Sequence, residues 1–308
     1  MITRRGLALG ALAGTGLSII PFASKGQDGP APGVRGYTRP GEASVNSYVL
    51  VGPRSVAVVD CQRALPEARR LLDLVRSVGK PVEAIVITHE HVDHIGGLDS
   101  VKKAFPGVPV LASAATREAV AREKAALIPV MKRNFGDDFP DDIPLPNRVV
   151  EGGATLDLAG RAWTVDQLGP CEAKGMTLLH SASDGVLVAA DLFGNRVTPW
   201  LVDGTTRAWM RELDAARDRY AGVRVALPGH GAPAPAAGLI EGQLAYLRFF
   251  HDAVGAELRG GRTRLDDAAR RRIRAATEAR YPGHLRVAPP PNLIEMNADA
   301  VAIELGAA

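Results

Sequence analysis

A nearly continuous apolar run at residues 82–88 feeds directly into Thr88-His89-Glu90-His91-Val92-Asp93-His94-Ile95-Gly96-Gly97, and no other part of the sequence restricts the fold as much. A run of this length and content reads as a strand covered on both faces, which requires layers of structure above and below it. Continuing the strand's period of two, His89 and His91 face the same side, where both can bind one metal ion. Asp93 and His94 follow as the chain turns, within reach of a second ion about 3.5–4 Å away. A surface loop can carry scattered histidines without binding anything, but four ligand-type residues within six positions, after a strand and before a helix, form a specific pattern.

Around this junction short β-rich runs alternate with helical ones, as in a layered α/β architecture. Residues 45–51 and 55–60 read as a hairpin turning at Gly52-Pro53. Pro66 opens a helix that buries Leu71, Leu72, Leu74 and Val75 on one face, and Gly79 closes it. Further helices are expected at residues 95–104 and 114–133, with a strand at 108–112 between them. Residues 136–146 hold four Asp and three Pro and read as a surface loop. Hairpin strands are expected at 148–158, 162–168, 176–181 and 186–190, followed by a helix near 205–220. A strand at 223–227 then ends in Pro228-Gly229-His230-Gly231, and the remainder is helical and charged, with a loop at 281–292. No period of 20 to 50 residues recurs, so solenoids and propellers are excluded.

The 308 residues, 46% hydrophobic and 23% charged, suffice for one sizeable core. The formal net charge is +3, and the arginines alternate with acidic residues instead of forming a block flanked by aromatics. A small-molecule substrate is therefore expected, and nucleic acid is not. Residues 1–27 read as an export signal: Arg4-Arg5 precede an uncharged, moderately apolar run, and Thr3-Arg4-Arg5-Gly6-Leu7-Ala8-Leu9 looks like the twin-arginine type. Residues 28–308 form the mature domain, expected in the periplasm or outside the cell. No later apolar run reaches the roughly 18 residues of a spanning helix, so no stable membrane anchor is expected.

The segment from His89 to His94 resembles the His-x-His-x-Asp-His motif of the metallo-β-lactamase superfamily, and the resemblance extends over nearly the whole mature chain. It implies a four-layer αββα sandwich and a metal-dependent hydrolase with two divalent ions. Asp60, after Val56-Ala57-Val58-Val59, matches the family's Asp beside the metal loop. Asp191, in Val188-Ala189-Ala190-Asp191-Leu192-Phe193, matches the carboxylate that bridges both metals, and His230 matches a ligand of the second metal. The resemblance implies attack by activated water on the carbonyl carbon of an ester, lactone, thioester or amide, with Asp93 and Asp191 as catalytic residues. Asp191 is more like the bridging residue of lactonases and glyoxalase II than the Cys or Ser usual there in true β-lactamases. A phosphodiesterase or nuclease, a β-lactamase, and a metal-binding protein with little catalysis are the alternative readings.

One departure stands out. Where the family usually carries a third His for the first metal, this chain reads Leu168-Gly169-Pro170-Cys171-Glu172-Ala173-Lys174-Gly175. Aligning the glycines places Glu172 at the ligand position, completing the expected set of His89, His91, Asp93, His94, Glu172, Asp191 and His230. A third carboxylate leaves bound water less acidified and favours harder ions, so manganese or iron is expected to compete with zinc at the first position. Two alternatives remain open here: Cys171 supplies a thiolate ligand in place of Glu172, or Cys171 pairs with Cys61 in an oxidising compartment. Phe193, Trp200 and Trp209 are candidates to line the pocket, and core packing explains them equally well.

Overall fold

The computed structural model describes residues 30–260 and 262–306, so the export signal expected at residues 1–27 lies outside the described residues. The first half of the chain runs β1 (Val34–Thr38), β2 (Asn46–Val51), β3 (Val56–Val59), α1 (Leu65–Ser77), β4 (Val82–Val86), α2 (Val92–Ile95), α3 (Leu98–Ala104), β5 (Val110–Ala112), α4 (Ala114–Phe135) and β6 (Arg148–Val149). Its strands make a six-stranded sheet in the order β1-β2-β3-β4-β5-β6. Pairing is antiparallel from β1 to β3 and parallel from β3 to β6. The second half runs β7 (Thr155–Leu158), β8 (Arg161–Leu168), β9 (Met176–Ser181), β10 (Val186–Ala190), β11 (Val197–Thr198), α5 (Thr206–Arg219), β12 (Val225–Pro228), α6 (Ala236–Glu257), α7 (Asp267–Arg280), β13 (Leu285–Arg286) and α8 (Leu293–Gly306). It forms a five-stranded sheet, β12-β10-β9-β8-β7, and a small parallel pair of β11 with β13.

Side-chain alternation along the strands stacks these sheets into layers. In β3, Val56 and Val58 pack against Leu71 and Val75 of α1, whereas Ala57 and Val59 face the other sheet and meet the cluster of Trp163, Leu179 and Val188. In β10 the same alternation sends Val186 and Val188 toward the first sheet, and Leu187 and Ala189 toward Trp209 and Leu213 of α5 and Leu244 of α6. Apolar burial on both faces of both sheets gives the four-layer αββα sandwich that the resemblance implies. The run into His89 is a two-sided strand as expected, with Ile85 and Ile87 on the helix side and Ala84 and Val86 between the sheets.

Three details differ from the sequence reading. Strand β1 precedes the first expected strand and pairs with β2. The stretch 148–158 is not one hairpin arm: β6 closes the first sheet against β5, and the chain crosses at Gly152-Gly153 so that β7 edges the second. The helix expected at 95–104 is split into α2 and α3 by Gly96-Gly97. Those glycines let the metal-motif turn press against the loop after β3, since a Cβ would lie 1.9 Å from the Arg63 carbonyl oxygen at Gly96 and 2.1 Å from that of Cys61 at Gly97.

Both thiols are buried and free: Cys61 in the core under α1, Cys171 in the core between the second sheet and its helices. Burial pushes both thiols well above their ordinary pKa, and a protonated, inaccessible sulfur is a poor nucleophile. Protein isolated without reductant is therefore expected to give no fast reaction with a thiol reagent while folded and two thiols per chain once unfolded. A count below two after unfolding would contradict the unpaired arrangement.

Candidate metal centre

Four strand ends of the two sheets converge on one point. Strand β3 ends in Asp60, β4 runs into Thr88 and His89, β10 ends before Asp191, and β12 ends before Gly229-His230. Asp60 and Ala190 hold left-handed backbone angles, φ 57° and 46°, a conformation that costs a non-glycine residue on the order of 1–3 kcal/mol and clusters where side chains must be aimed. Glycine at 229 is required by proximity, because a Cβ there would lie 1.9 Å from Asp191 Oδ1 and 2.8 Å from His94 Cε1.

Hydrogen bonds from behind fix the imidazoles. His94 Nδ1 lies 2.8 Å from Asp60 Oδ2, and Thr88 donates to the same carboxylate through its amide (2.9 Å) and its hydroxyl (2.8 Å). The Thr88 hydroxyl oxygen also meets His89 Nδ1 at 3.0 Å, and His230 Nδ1 bonds the Ser44 carbonyl oxygen. With Nδ1 engaged, each of these rings presents Nε2 to the interior, the arrangement by which second partners orient metal-binding histidines. His91 differs: its Nδ1 approaches Glu172 Oε2 at 2.9 Å, and its Nε2 lies 3.8 Å from Asp203. Asn46 braces the last loop by donating to the carbonyl oxygens of Pro228 (2.8 Å) and Gly231 (2.7 Å).

The result is two groups of donors. His89, His91, Glu172 and Asp191 form one, and Asp93, His94 and His230 the other, with the donor atoms of each group within 4.8 Å of one another. Asp191 Oδ2 sits between the groups, 3.5 Å from His89 Nε2, 3.2 Å from His94 Nε2 and 3.2 Å from His230 Nε2. All seven residues expected from the sequence are thus brought together. His89 Nε2, His94 Nε2, Glu172 Oε2 and both Asp191 carboxylate oxygens are buried with no hydrogen-bond partner. Orphaned buried polar atoms are costly, and so many aimed at one point fit a pair of cations. Cys171 points instead into the apolar core and joins neither group, so the thiolate alternative gives way to Glu172. Of the aromatic candidates, Trp200 lines the large cavity over the centre, while Phe193 and Trp209 are core residues.

The charges are strongly coupled. Burial alone disfavours the ionised forms, yet His230 rises to about 10 because Asp191 and Asp93 face it, and His91 rises to about 10 because Glu172 does. Burial also lifts Glu172 to about 7 against the pull of His91. His89, with burial and its histidine neighbours dominant, is held well below its ordinary value. Asp93 overcomes burial mainly through Arg63 and stays well below the carboxylate range.

Arg63, like Asn46 and Asp203, carries no signal in the sequence that marks it for the site. Its guanidinium, almost fully buried, bonds Asp93 Oδ2 at 3.0 Å and the Val287 carbonyl oxygen at 2.8 Å. One cation thereby ties a donor of the second group to the loop that overhangs the cavity. Breaking one side of a buried ion pair costs about 3–5 kcal/mol, so Arg63→Met is expected to lose stability on that scale in chemical unfolding. A loss below about 1 kcal/mol, the scale of an exposed pair, would show that Asp93 does not depend on it.

Comparison with known proteins places this geometry. Residues 40–249 match the family described as the metallo-beta-lactamase superfamily. The chain is 26% identical over 151 residues to the uncharacterized protein YobT of Bacillus subtilis, covering 48% of this chain and 62% of that protein. It is 27% identical over 149 residues to a hydroxyacylglutathione hydrolase of Vibrio campbellii, covering 48% of this chain and 47% of the relative. The matched region thus spans less than two thirds of either relative's length. A beta-lactamase domain protein from Burkholderia ambifaria superposes with a TM-score of 0.67 at 19% identity, over 89% of this chain and 86% of that one, and this likeness speaks for the fold. With a family match over most of its length and the same four-layer architecture, the chain belongs to the metallo-β-lactamase superfamily.

Proposed function

We propose that this protein is a dinuclear metallo-hydrolase that opens a carbonyl-centred bond: an ester, lactone, thioester or amide. The observation that carries the reading is the position of Asp191, whose buried carboxylate places Oδ2 between two sets of donor atoms, three of whose residues, His91, Asp93 and Glu172, line an open cavity. His89, His91 and Glu172 would hold the first cation, Asp93, His94 and His230 the second, and Asp191 both. Bound there, divalent cations acidify water and polarise a carbonyl oxygen. The protein's share is orientation. Asp60, Thr88 and the Ser44 carbonyl lock three imidazoles, so the centre needs no rearrangement as charge develops. Arg63 holds Asp93 Oδ2 and so fixes the direction in which that carboxylate faces the second donor group.

Zinc is the first expectation for the metal, with manganese or iron competing at the Glu172 position because an added oxygen donor favours harder ions. We further infer that the enzyme acts in the periplasm or outside the cell, a reading supported by the Arg4-Arg5 leader. Metal analysis of protein purified without chelators, from cultures supplemented with each metal in turn, is expected to find about two ions per chain. In Glu172→Gln the total should fall toward about one, since a neutral amide is a poor ligand. Zinc alone in the wild type under every supplement would overturn the hard-ion reading.

The reaction class is tested by comparing matched ester, lactone, thioester, β-lactam and phosphodiester substrates with the metal-loaded wild type and Asp191→Asn. Turnover of carbonyl substrates, lost by about 10²-fold or more in Asp191→Asn, is expected. Preference for the phosphodiester would assign the centre to phosphoryl chemistry instead.

A further inference from the structure

The cavity above the centre carries charge and shape that the metal donors do not explain. It has a volume of about 1000 Å³ and is floored by His91, Asp93 and Glu172. Around them stand six further carboxylates, Glu42, Glu67, Glu90, Glu123, Asp138 and Asp203. Among the described residues the only guanidinium or ammonium groups lining it are Arg39 and Arg63, and both are engaged: Arg39 with Glu67 at 3.2 Å and Arg63 with Asp93 at 3.0 Å. Glu42 is paired outside with Arg286, and Glu123 with its neighbour Arg122. Glu90, Asp138 and Asp203 meet no Lys or Arg, and Asp203 is held toward the cavity by the Trp200 indole N–H at 2.8 Å. Since the whole chain carries a net charge of +3, this acidity is local to the cleft.

The centre does not reverse that sign. Counted against two divalent cations and the buried Arg63, the carboxylates of Asp93, Asp191 and Glu172 would leave the centre with fewer positive charges than the rim has carboxylates, so the rim sets the field at the mouth. Charges of one sign on low-dielectric walls focus that field. One flank is apolar: Leu127, Met131 and Phe135, at i, i+4 and i+8, present one face of α4 to the cavity. The overhanging loop faces it with Val287, Pro289 and Pro290.

We infer that the cleft selects carbonyl substrates with an apolar acyl group and a neutral or cationic remainder, and rejects anionic ones. The inference rests on the carbonyl-hydrolase reading above and adds the substrate's charge. An anionic substrate would have to bring its charge beside Glu90, Asp138 and Asp203, which no Lys or Arg among the described residues offsets, whereas a cationic one gains from them.

Two measurements on the metal-loaded full chain separate this inference from the reading beneath it. The first is kcat/KM for three esters sharing one acyl chain: a choline ester, a neutral alkyl ester and a glycolate ester. The expected order is choline, then alkyl, then glycolate, with at least about tenfold between the extremes at low salt, narrowing as salt is added. The double charge reversal of Glu123→Lys with Asp138→Lys should shrink that ratio. A glycolate ester turned over as well as the choline ester at low salt would overturn the inference.

The second measurement needs no turnover. Trp163 and Trp209 are fully buried, so Trp200 in the cleft is the tryptophan that solutes reach. Cesium and iodide quenching constants, each normalised to those of N-acetyltryptophanamide, are expected to favour cesium by at least about twofold at low ionic strength. The double reversal should reduce that preference. Equal or stronger iodide quenching would overturn the inference. If no ester is hydrolysed while cesium still quenches preferentially, the carbonyl-hydrolase reading fails and with it the substrate assignment, but the cleft's preference for cations stands.

Discussion

The carboxylate of Asp60 is the contact on which the rest of the site depends. It is buried at the end of β3, where an unpaired charge would be strongly destabilising, and its partners are the amide and hydroxyl of Thr88 and the ring of His94. Through these bonds one side chain fixes the exit of β4, the tautomer of His94 and, by way of the Thr88 hydroxyl, the ring of His89. The left-handed backbone at Asp60 is the local cost of aiming that carboxylate across to the neighbouring strand.

The sandwich supplies the second half of the site at long range. Asp191 and His230 come from adjacent parallel strands of the other sheet, and their positions relative to His89 and His94 are set by the apolar layer between the sheets. Asn46 and Tyr48 on β2 reach across that boundary to the Pro228 carbonyl oxygen, at 2.8 and 2.7 Å, so polar bonds fix the register that apolar packing leaves loose. Arg63 adds a third tie, from the first sheet's loop to the chain at Val287. Rigid sheets thus hold the donors, while the cavity walls come from α4 and the loops.

Much of this was legible in the sequence, and the reasons are specific. His89 to His94, Asp60, Asp191 and His230 sit at strand ends, where an apolar run stopping at a ligand-type residue is a local signal. Glu172 was legible from its place between Gly169 and Gly175, although sequence alone did not decide between it and Cys171; the structure separates them by sending one side chain to the centre and the other to the core. Arg63, Asn46 and Asp203 were not legible, because each acts through partners distant in sequence: Asp93 and Val287 for Arg63, Pro228 for Asn46, His91 for Asp203. The change of sheet between β6 and β7 was hidden for a related reason, since period-two alternation marks a strand without saying which sheet it joins.

The central claim, that two donor groups share Asp191 around a pair of cations, is tested most directly by anomalous diffraction from crystals grown with a divalent metal. Two anomalous peaks about 3.5–4 Å apart are expected, one ligated by His89, His91 and Glu172, the other by Asp93, His94 and His230, with Asp191 between them. Peaks elsewhere, or no peak in contact with these side chains at saturating metal, would contradict it.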